Sequence, residues 1–399
     1  MKSGQLELSK YDLNPNPNSI VLRLLNQVKH TARSFADRYN LDFENFVRFL
    51  NDEESDAKPI INALISHPGI DIRVLLKPDL ADRVNETFNR NPDVAVMSAE
   101  ETNKSARVFS RGPEGGEKNP FYRYFDTAVR STSPFRPELI EQLYVADGEP
   151  NLEDYYFNNG HFEDQLTLYL GDVNLHWTEI DRGQVTFKAT RFSTSYKLPF
   201  IPHTFTSRAS NTGRILAVTY LGPISNPGFL ELARKTPLTE LCDLLGSYQE
   251  LRETSRRPVL ASGLGQNEEI STDKFYSKAL LDNVPDQPSS SINLLHIPRE
   301  SESVLNSKST HQWLFNCSDV ELKIEWFKTS FDMKPDSSLA IAPETQFKVS
   351  NFSANSAKLA CFSSKPGEGD PMLQAKRILK NVGPAAISRI QNETSQWFN

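Results

Sequence analysis

NNGHFEDQLTLYLGDVNLHW, from Asn158 to Trp177, and RFSTSYKLPFIPHTFT, from Arg191 to Thr206, decide how this chain is read. If a strand begins at His161, alternation sets His161, Glu163, Gln165, Thr167 and Tyr169 on one face and Phe162, Leu166, Leu168 and Leu170 on the other. A polar strand face lines a cavity or meets solvent. In the second stretch His203 follows Pro199 and Pro202, where another strand would begin. Two histidines on neighbouring strands can reach one metal. A third oxygen ligand completes a facial triad with open positions, the arrangement that non-haem Fe(II) oxygenases need. Two residues compete for that third place: Glu163 brings an anionic oxygen, Gln165 a neutral amide carbonyl, and charge alone favours Glu163. The plainer alternative is a pair of ordinary polar histidines in a β-domain.

Around these stretches, from about Arg107 to Tyr220, short aromatic and β-branched segments broken by Gly, Pro and Asn predict a β-sandwich or small barrel. Upstream, Ile20 to about Leu76 carries apolar residues at helical spacing, among them Phe35, Ala36, Phe43, Phe46, Val47 and Leu50. Thr31-Ala32 opens one helix, Asn40 offers a turn and Asp42 can cap the next, a helix-turn-helix-like unit. Its second helix, DFENFVRFL, sets Asp42 and Glu44 against Arg48 and would repel phosphates, so a structural or oligomer-forming role is expected. Residues 228–285 return to helical spacing, interrupted at SGLGQNEEIS, and 310–363 return to strands.

The fold class expected is therefore α+β, a duplicated unit of helical domain plus cupin β-barrel with a degenerate second copy. The domains are a tail at 1–18, a helical domain at 19–90, a catalytic barrel at 91–225, a second helical domain and linker at 226–305, a trimmed second cupin at 306–368 and a tail at 369–399 that packs back on the body. The second barrel holds His311 without a paired histidine, so it reads as structural.

With 399 residues, 38% hydrophobic and 24% charged, the chain has the composition of an ordinary globular protein able to bury its cores without metals or disulfides. A formal charge of -7 argues against nucleic acid or anionic lipid as a general partner. Cys242, Cys317 and Cys361 are odd in number and far apart, which reads as free thiols in a reducing cytoplasm. No apolar leader or span of roughly 18 residues is present, so neither export nor membrane insertion is expected.

NNGH with its alternating strand, the Pro-His segment and FYRYFDTA at Phe121–Ala128 together resemble the family of 2-hydroxyethylphosphonate dioxygenase and methylphosphonate synthase, over most of the chain. The resemblance implies that His161 and His203 bind Fe(II). The dioxygenase branch takes its third ligand from a glutamate six positions before the second histidine, where this chain has Lys197, and an ammonium cannot ligate Fe(II). The synthase branch uses a glutamine four positions after the first histidine, where Gln165 stands, so the resemblance ranks Gln165 above Glu163. Phe192 matches a bulky aromatic of that branch that steers the product. Asn158, Tyr124 and Arg111 match substrate contacts, and Lys29 matches a lysine delivered into a neighbouring subunit's site. A family serine falls near Ala217 or Thr219.

The chemistry implied is Fe(II)- and O2-dependent cleavage of the carbon–carbon bond of 2-hydroxyethylphosphonate, with no organic cofactor, in a homo-oligomer (dimer or tetramer). Methylphosphonate and carbon dioxide are the products expected. The alternatives are hydroxymethylphosphonate with formate, or a non-enzymatic helix-turn-helix–cupin regulator.

Overall fold

Capping residues written into the sequence delimit the first helices of the computed structural model. The structure describes residues 17–77, 92–113, 116–130, 133–146, 156–158, 164–179, 183–197, 203–208, 213–220, 259–262, 274–281 and 290–365, with positions 8, 13, 80–81, 83–84 and 87 besides. Thr31 caps the Ala32–Tyr39 helix, its hydroxyl accepting from the Ser34 N–H at 2.9 Å while Ser34 Oγ accepts from the Thr31 N–H at 3.0 Å. Asn40, at φ 50°, ends that helix in the left-handed region, and Asp42 caps Phe43–Leu50 by accepting from Asn45 N–H at 3.1 Å. Between these helices and the flanking Pro17–Gln27 and Ala57–Ser66, the side chains of Val21, Leu24, Phe35, Phe46, Phe49 and Ile61 form one core. Each such burial contributes about 1.5–3 kcal/mol, well above what capping alone provides.

Two β-units follow, each a larger antiparallel sheet sharing a core with a smaller one. In the first, seven strands run in the order Val259–Ser262, Thr194–Lys197, Asp164–Tyr169, Gly213–Tyr220, Phe135–Gln142, Asn119–Asp126, Arg107–Arg111. Their partner sheet is Gly183–Ala189, Val173–Glu179, His203–Ser207. Tyr122, Tyr124, Tyr169 and Ile215 of the large sheet meet Leu175 and Phe205 of the small one. In the second unit, six strands run Val94–Met97, Ser338–Ile341, His311–Asn316, Ala357–Ser364, Ser290–Ile297, Tyr276–Leu281. Four more complete it, Ser301–Asn306, Gln346–Asn351, Leu322–Trp326 and Thr329–Met333.

The two large sheets pack on each other. Leu166, Leu168, Tyr196, Leu216 and Val218 meet Ile292, Trp313, Phe315 and Phe362 in one apolar layer. This layer explains the alternation around Gln165. Leu166 and Leu168 belong to the contact between units, while Gln165, Thr167 and Tyr169 are buried on the opposite, inner side.

Of the two places expected for the polar face of this strand it takes the buried one, with Gln165 at the cavity; the described part of the strand is Asp164–Tyr169, and His161 and Glu163 lie outside the described residues. Several expectations need correction. Within 226–305, read as a second helical domain, the described segments Val259–Ser262, Tyr276–Leu281 and Ser290–Ile297 are strands. Short apolar runs fit both periods, and an open sheet edge, with its unpaired N–H and C=O groups, recruits them as strands. Val94–Met97, expected in the catalytic barrel, pairs instead with Ser338–Ile341 of the second unit. Among the described residues the first unit consists of a seven- and a three-stranded sheet and not one closed ring. Cys317 and Cys361 are free and buried, and burial raises their thiols to about 11 and about 12; Cys242 and the tail at 369–399 lie outside the described residues. No helix among the described residues is long and apolar enough to cross a membrane.

Candidate active site

The inner side of the first unit opens into a small cavity. Gln165, from the middle of the large sheet, and His203, at the start of a strand of the small sheet, both line it and are both buried. Asn158 locks His203 in place. The Asn158 N–H donates to the His203 carbonyl at 3.0 Å, the His203 N–H donates to Asn158 Oδ1 at 3.0 Å, and Asn158 Nδ2 donates to His203 Nε2 at 3.1 Å. An amide N–H can only donate, so Nε2 is the unprotonated ring nitrogen; Asn158 engages the lone pair with which the ring would ligate a metal, so a metal bound there takes the place of this hydrogen bond. Phe205 stands edge-on to the His203 ring at 5.6 Å.

Gln165 is oriented from below. Its Nε2 donates to Thr167 Oγ1 at 2.9 Å, which leaves Oε1 as the end of the amide able to ligate a cation. Lys197 Nζ donates to the same hydroxyl at 3.4 Å and sits 4.4 Å from the centre of the Phe205 ring. The lysine is 0% exposed, and that burial pushes its amine well below the usual lysine range. Sequence reasoning left Lys197 unplaced. It lies beneath the Gln165–Thr167 pair and does not line the cavity.

The anion-binding groups are in the same cavity. Arg111 reaches it with its guanidinium held flat, Nη1 donating to the Tyr156 carbonyl at 2.5 Å and Cζ lying 4.8 Å from the Tyr122 ring centre. Tyr124 lines it too, and burial, reinforced by Glu138, raises its hydroxyl so that it stays a donor. Lys29 closes the list of expected residues. It lines the cavity of its own chain, where Arg107, at the start of the edge strand Arg107–Arg111, holds the turn that follows Pro17–Gln27. Ala217 and Thr219, the two positions considered for a serine, both face the cavity.

Phe192 does not. It occupies a turn at φ 67°, donates its N–H to the Tyr169 carbonyl at 2.6 Å, and packs between Arg191 and Lys358 of the second unit. Its place as the cavity's aromatic is taken by Phe205, which sequence reasoning missed along with Tyr122, Glu138 and Ile140. The signal was available for the last two. In the Phe135–Gln142 strand, residues 138 and 140 alternate with Leu139, which faces the other unit.

A second cluster lies beside the cavity, where His30, His67 and Asp126 bring donor atoms within 4.8 Å of one another. Its electrostatics are those of a latch. Arg107 Nη1 donates to Asp126 Oδ1 at 2.8 Å and Arg38 Nη1 bonds Oδ2, so two guanidinium groups occupy the carboxylate a cation would need. Against burial, which would raise it, Arg107 and Arg38 hold the Asp126 carboxyl well below the usual range. Burial, with Arg107, lowers His30 to about 2.

No family model matches the sequence. Over 202 residues, 50% of this chain, the sequence is 28% identical to the methylphosphonate synthase of Nitrosopumilus maritimus (strain SCM1); the match spans 41% of that protein's length. In three dimensions the chain resembles a Streptomyces albus 2-hydroxyethylphosphonate dioxygenase solved with its substrate, 2-hydroxyethylphosphonate, and Fe(II) bound. That likeness covers 94% of this chain and 97% of the other at 18% identity, with a TM-score of 0.51, and it is a likeness of fold.

Proposed function

We propose that this chain is a mononuclear non-haem iron enzyme that uses O2 to cleave 2-hydroxyethylphosphonate into methylphosphonate, carbon dioxide and water. The observation that carries the reading is that one cavity collects Gln165, His203, Asn158, Tyr124, Arg111 and Lys29. A soft-to-intermediate imidazole nitrogen and an amide oxygen suit Fe(II), and His161 would complete the set. The iron would supply the redox centre at which O2 and substrate meet. A helical domain followed by a cupin unit and a second, degenerate cupin is the architecture we assign to it.

The chain's own residues then handle the anion. Arg111, fixed by Tyr156 and stacked on Tyr122, presents a rigid fork to two phosphonate oxygens, and Lys29 adds a second positive charge. Tyr124, kept protonated, donates a hydrogen bond, and Asn158 holds His203 while offering its amide to substrate. Phe205, Ile140 and Ala217 line the rest with apolar surface, which lowers the local dielectric and strengthens each charged contact. Neutral Gln165 in place of a carboxylate leaves more positive charge at the metal, a difference that favours the methylphosphonate outcome over hydroxymethylphosphonate. The helical domain serves this site by supplying Lys29, which argues against a regulator in which it would read DNA.

Anaerobic loading with Fe(II), addition of 2-hydroxyethylphosphonate and O2, and phosphorus NMR of the products tests the proposal. A methylphosphonate signal is expected. Hydroxymethylphosphonate alone would overturn the product assignment, and no iron-dependent product would overturn the enzyme reading.

A further inference from the structure

Lys29 reaches the cavity from an unusual piece of backbone. It follows the Pro17–Gln27 helix, has φ 51° in the left-handed region that a side chain with a Cβ disfavours, and is itself buried. The helix closes there in a left-handed cap, the His30 N–H donating to the Leu25 carbonyl at 2.9 Å, and one side chain braces the carbonyls that this turn leaves outside the helix. Arg107 Nε donates to the Lys29 carbonyl at 2.6 Å, and Arg107 Nη2 donates to the Val28 carbonyl at 3.0 Å. Its remaining Nη1 donates to Asp126 Oδ1 at 2.8 Å and to the Ser105 carbonyl at 3.3 Å. The other Asp126 oxygen is bound by Arg38 of the Ala32–Tyr39 helix.

We propose that Arg107, anchored by Asp126 and Arg38, is a positioning residue that clamps residues 28–29 so that Lys29 points into the substrate cavity and binds the phosphonate. This deepens the function proposed above and rests on it. Arg107 does not itself line the cavity, so its effect on substrate passes through Lys29. A planar fork is what the task requires: two adjacent carbonyls and a carboxylate are satisfied at fixed angles by one guanidinium, whereas an ammonium is a point donor that cannot span them. The clamp also makes the helical domain part of the active site, since the residues it joins come from the helices on one side and from the Arg107–Arg111 and Asn119–Asp126 strands on the other. Alignment of a charged group to within a fraction of an ångström is what separates a binding contact from a nearby charge.

The test is a double-mutant cycle on the full-length, Fe(II)-loaded protein under anaerobic conditions, with 2-hydroxyethylphosphonate binding measured by calorimetry. Arg107→Lys keeps a positive charge beside Asp126 and is expected to weaken binding about tenfold, as does Lys29→Met. In the Lys29→Met background Arg107→Lys should then matter less than twofold, because its effect has nothing left to act through. Equal factors in both backgrounds would overturn the proposal. Iron affinity, measured in parallel, is expected to stay unchanged in both variants, and a loss of iron from Arg107→Lys would also overturn it. Should Arg107→Lys fold poorly in a thermal melt, Asp126→Asn replaces it, with the same non-additivity expected. Peptide-resolved acylation of lysines, which needs no substrate, separates the two readings. If the unmodified protein binds no phosphonate, the functional reading falls. The clamp is then supported if Lys29 is acylated several-fold faster in Arg107→Lys, and overturned if the rate is the same.

Discussion

Gln165 donates from Nε2 to Thr167 Oγ1 at 2.9 Å, and this bond decides which end of the Gln165 amide is available to a metal. A carboxylate has two equivalent oxygens and needs no such help, whereas an amide ligates through one end only. Thr167→Val removes the acceptor and is expected to weaken Fe(II) binding by roughly 10- to 100-fold, the usual range for loss of a group that orients a ligand. Thr167→Ser should restore it. Calorimetric titration with Fe(II) under anaerobic conditions reads the difference, and equal affinity in wild type and Thr167→Val would remove the orienting role.

The choice between Gln165 and Glu163 has its own test. Gln165→Ala is expected to lose iron on desalting, while Glu163→Ala retains it. Iron content by atomic emission measures both, and retention in Gln165→Ala with loss in Glu163→Ala would reverse the assignment.

Arg111 is fixed by the Tyr156 carbonyl and by stacking, so a change there should be felt in substrate binding before it is felt in the metal. Charged hydrogen bonds are worth about 1.5–3 kcal/mol each, so Arg111→Met is expected to raise KM roughly 10- to 100-fold. Arg111→Lys keeps the charge but not the fork and should fall between. Steady-state kinetics followed by oxygen consumption distinguishes these, and an unchanged KM in Arg111→Met would place the phosphonate elsewhere.

Phe192 packs against Arg191 and Lys358, away from the cavity, whereas Phe205 touches both His203 and Lys197. Phe192→Ala is therefore expected to lower thermal stability by about 1–3 kcal/mol, less than a fully buried aromatic, without altering the product ratio. A shifted ratio of phosphonate products in phosphorus NMR of Phe192→Ala would return that residue to the role expected from sequence.

Stability should fall in mild acid. His176, between Thr186 Oγ1 and Thr206 Oγ1, is lowered to about 4 by burial, and His311 to about 4 by burial and then Arg130. Both stay neutral in the folded protein while the unfolded chain takes up protons below pH 6.5, so stability is full above that value and is lost as pH falls toward 4. Between pH 7.5 and 5 each histidine accounts for on the order of 2 kcal/mol. Urea titrations at the two pH values should show a lower midpoint in acid, with a smaller difference in His176→Gln; an equal difference in that variant would remove His176 as a source.

The local elements and the separate site residues were legible because their signals are local. The Thr31 cap, the Asn40 turn and the Asp42 cap depend on hydrogen bonds within four residues, and the structure has each of them. Alternation through Gln165, Thr167 and Tyr169 is a property of one strand. What misled was length: at Val259–Ser262 and Tyr276–Leu281 a run of four to six residues has too few positions to separate a helical period from a strand period, and the edge of an existing sheet decided it.

The sequence by itself thus determined which residue types are present at motif spacing, His203, Gln165, Asn158, Tyr124, Arg111 and Lys29 among them, and the caps and alternation that set their local conformation. Only the tertiary structure decided that these six face one cavity within one chain, that Lys197 lies buried beneath Gln165, and that Phe192 belongs to the contact between the two β-units. The reason is physical. Capping and alternation are fixed by bonds between near neighbours, whereas the side a buried lysine or aromatic takes is set by which distant sheet packs against its strand, and that information is in no single segment.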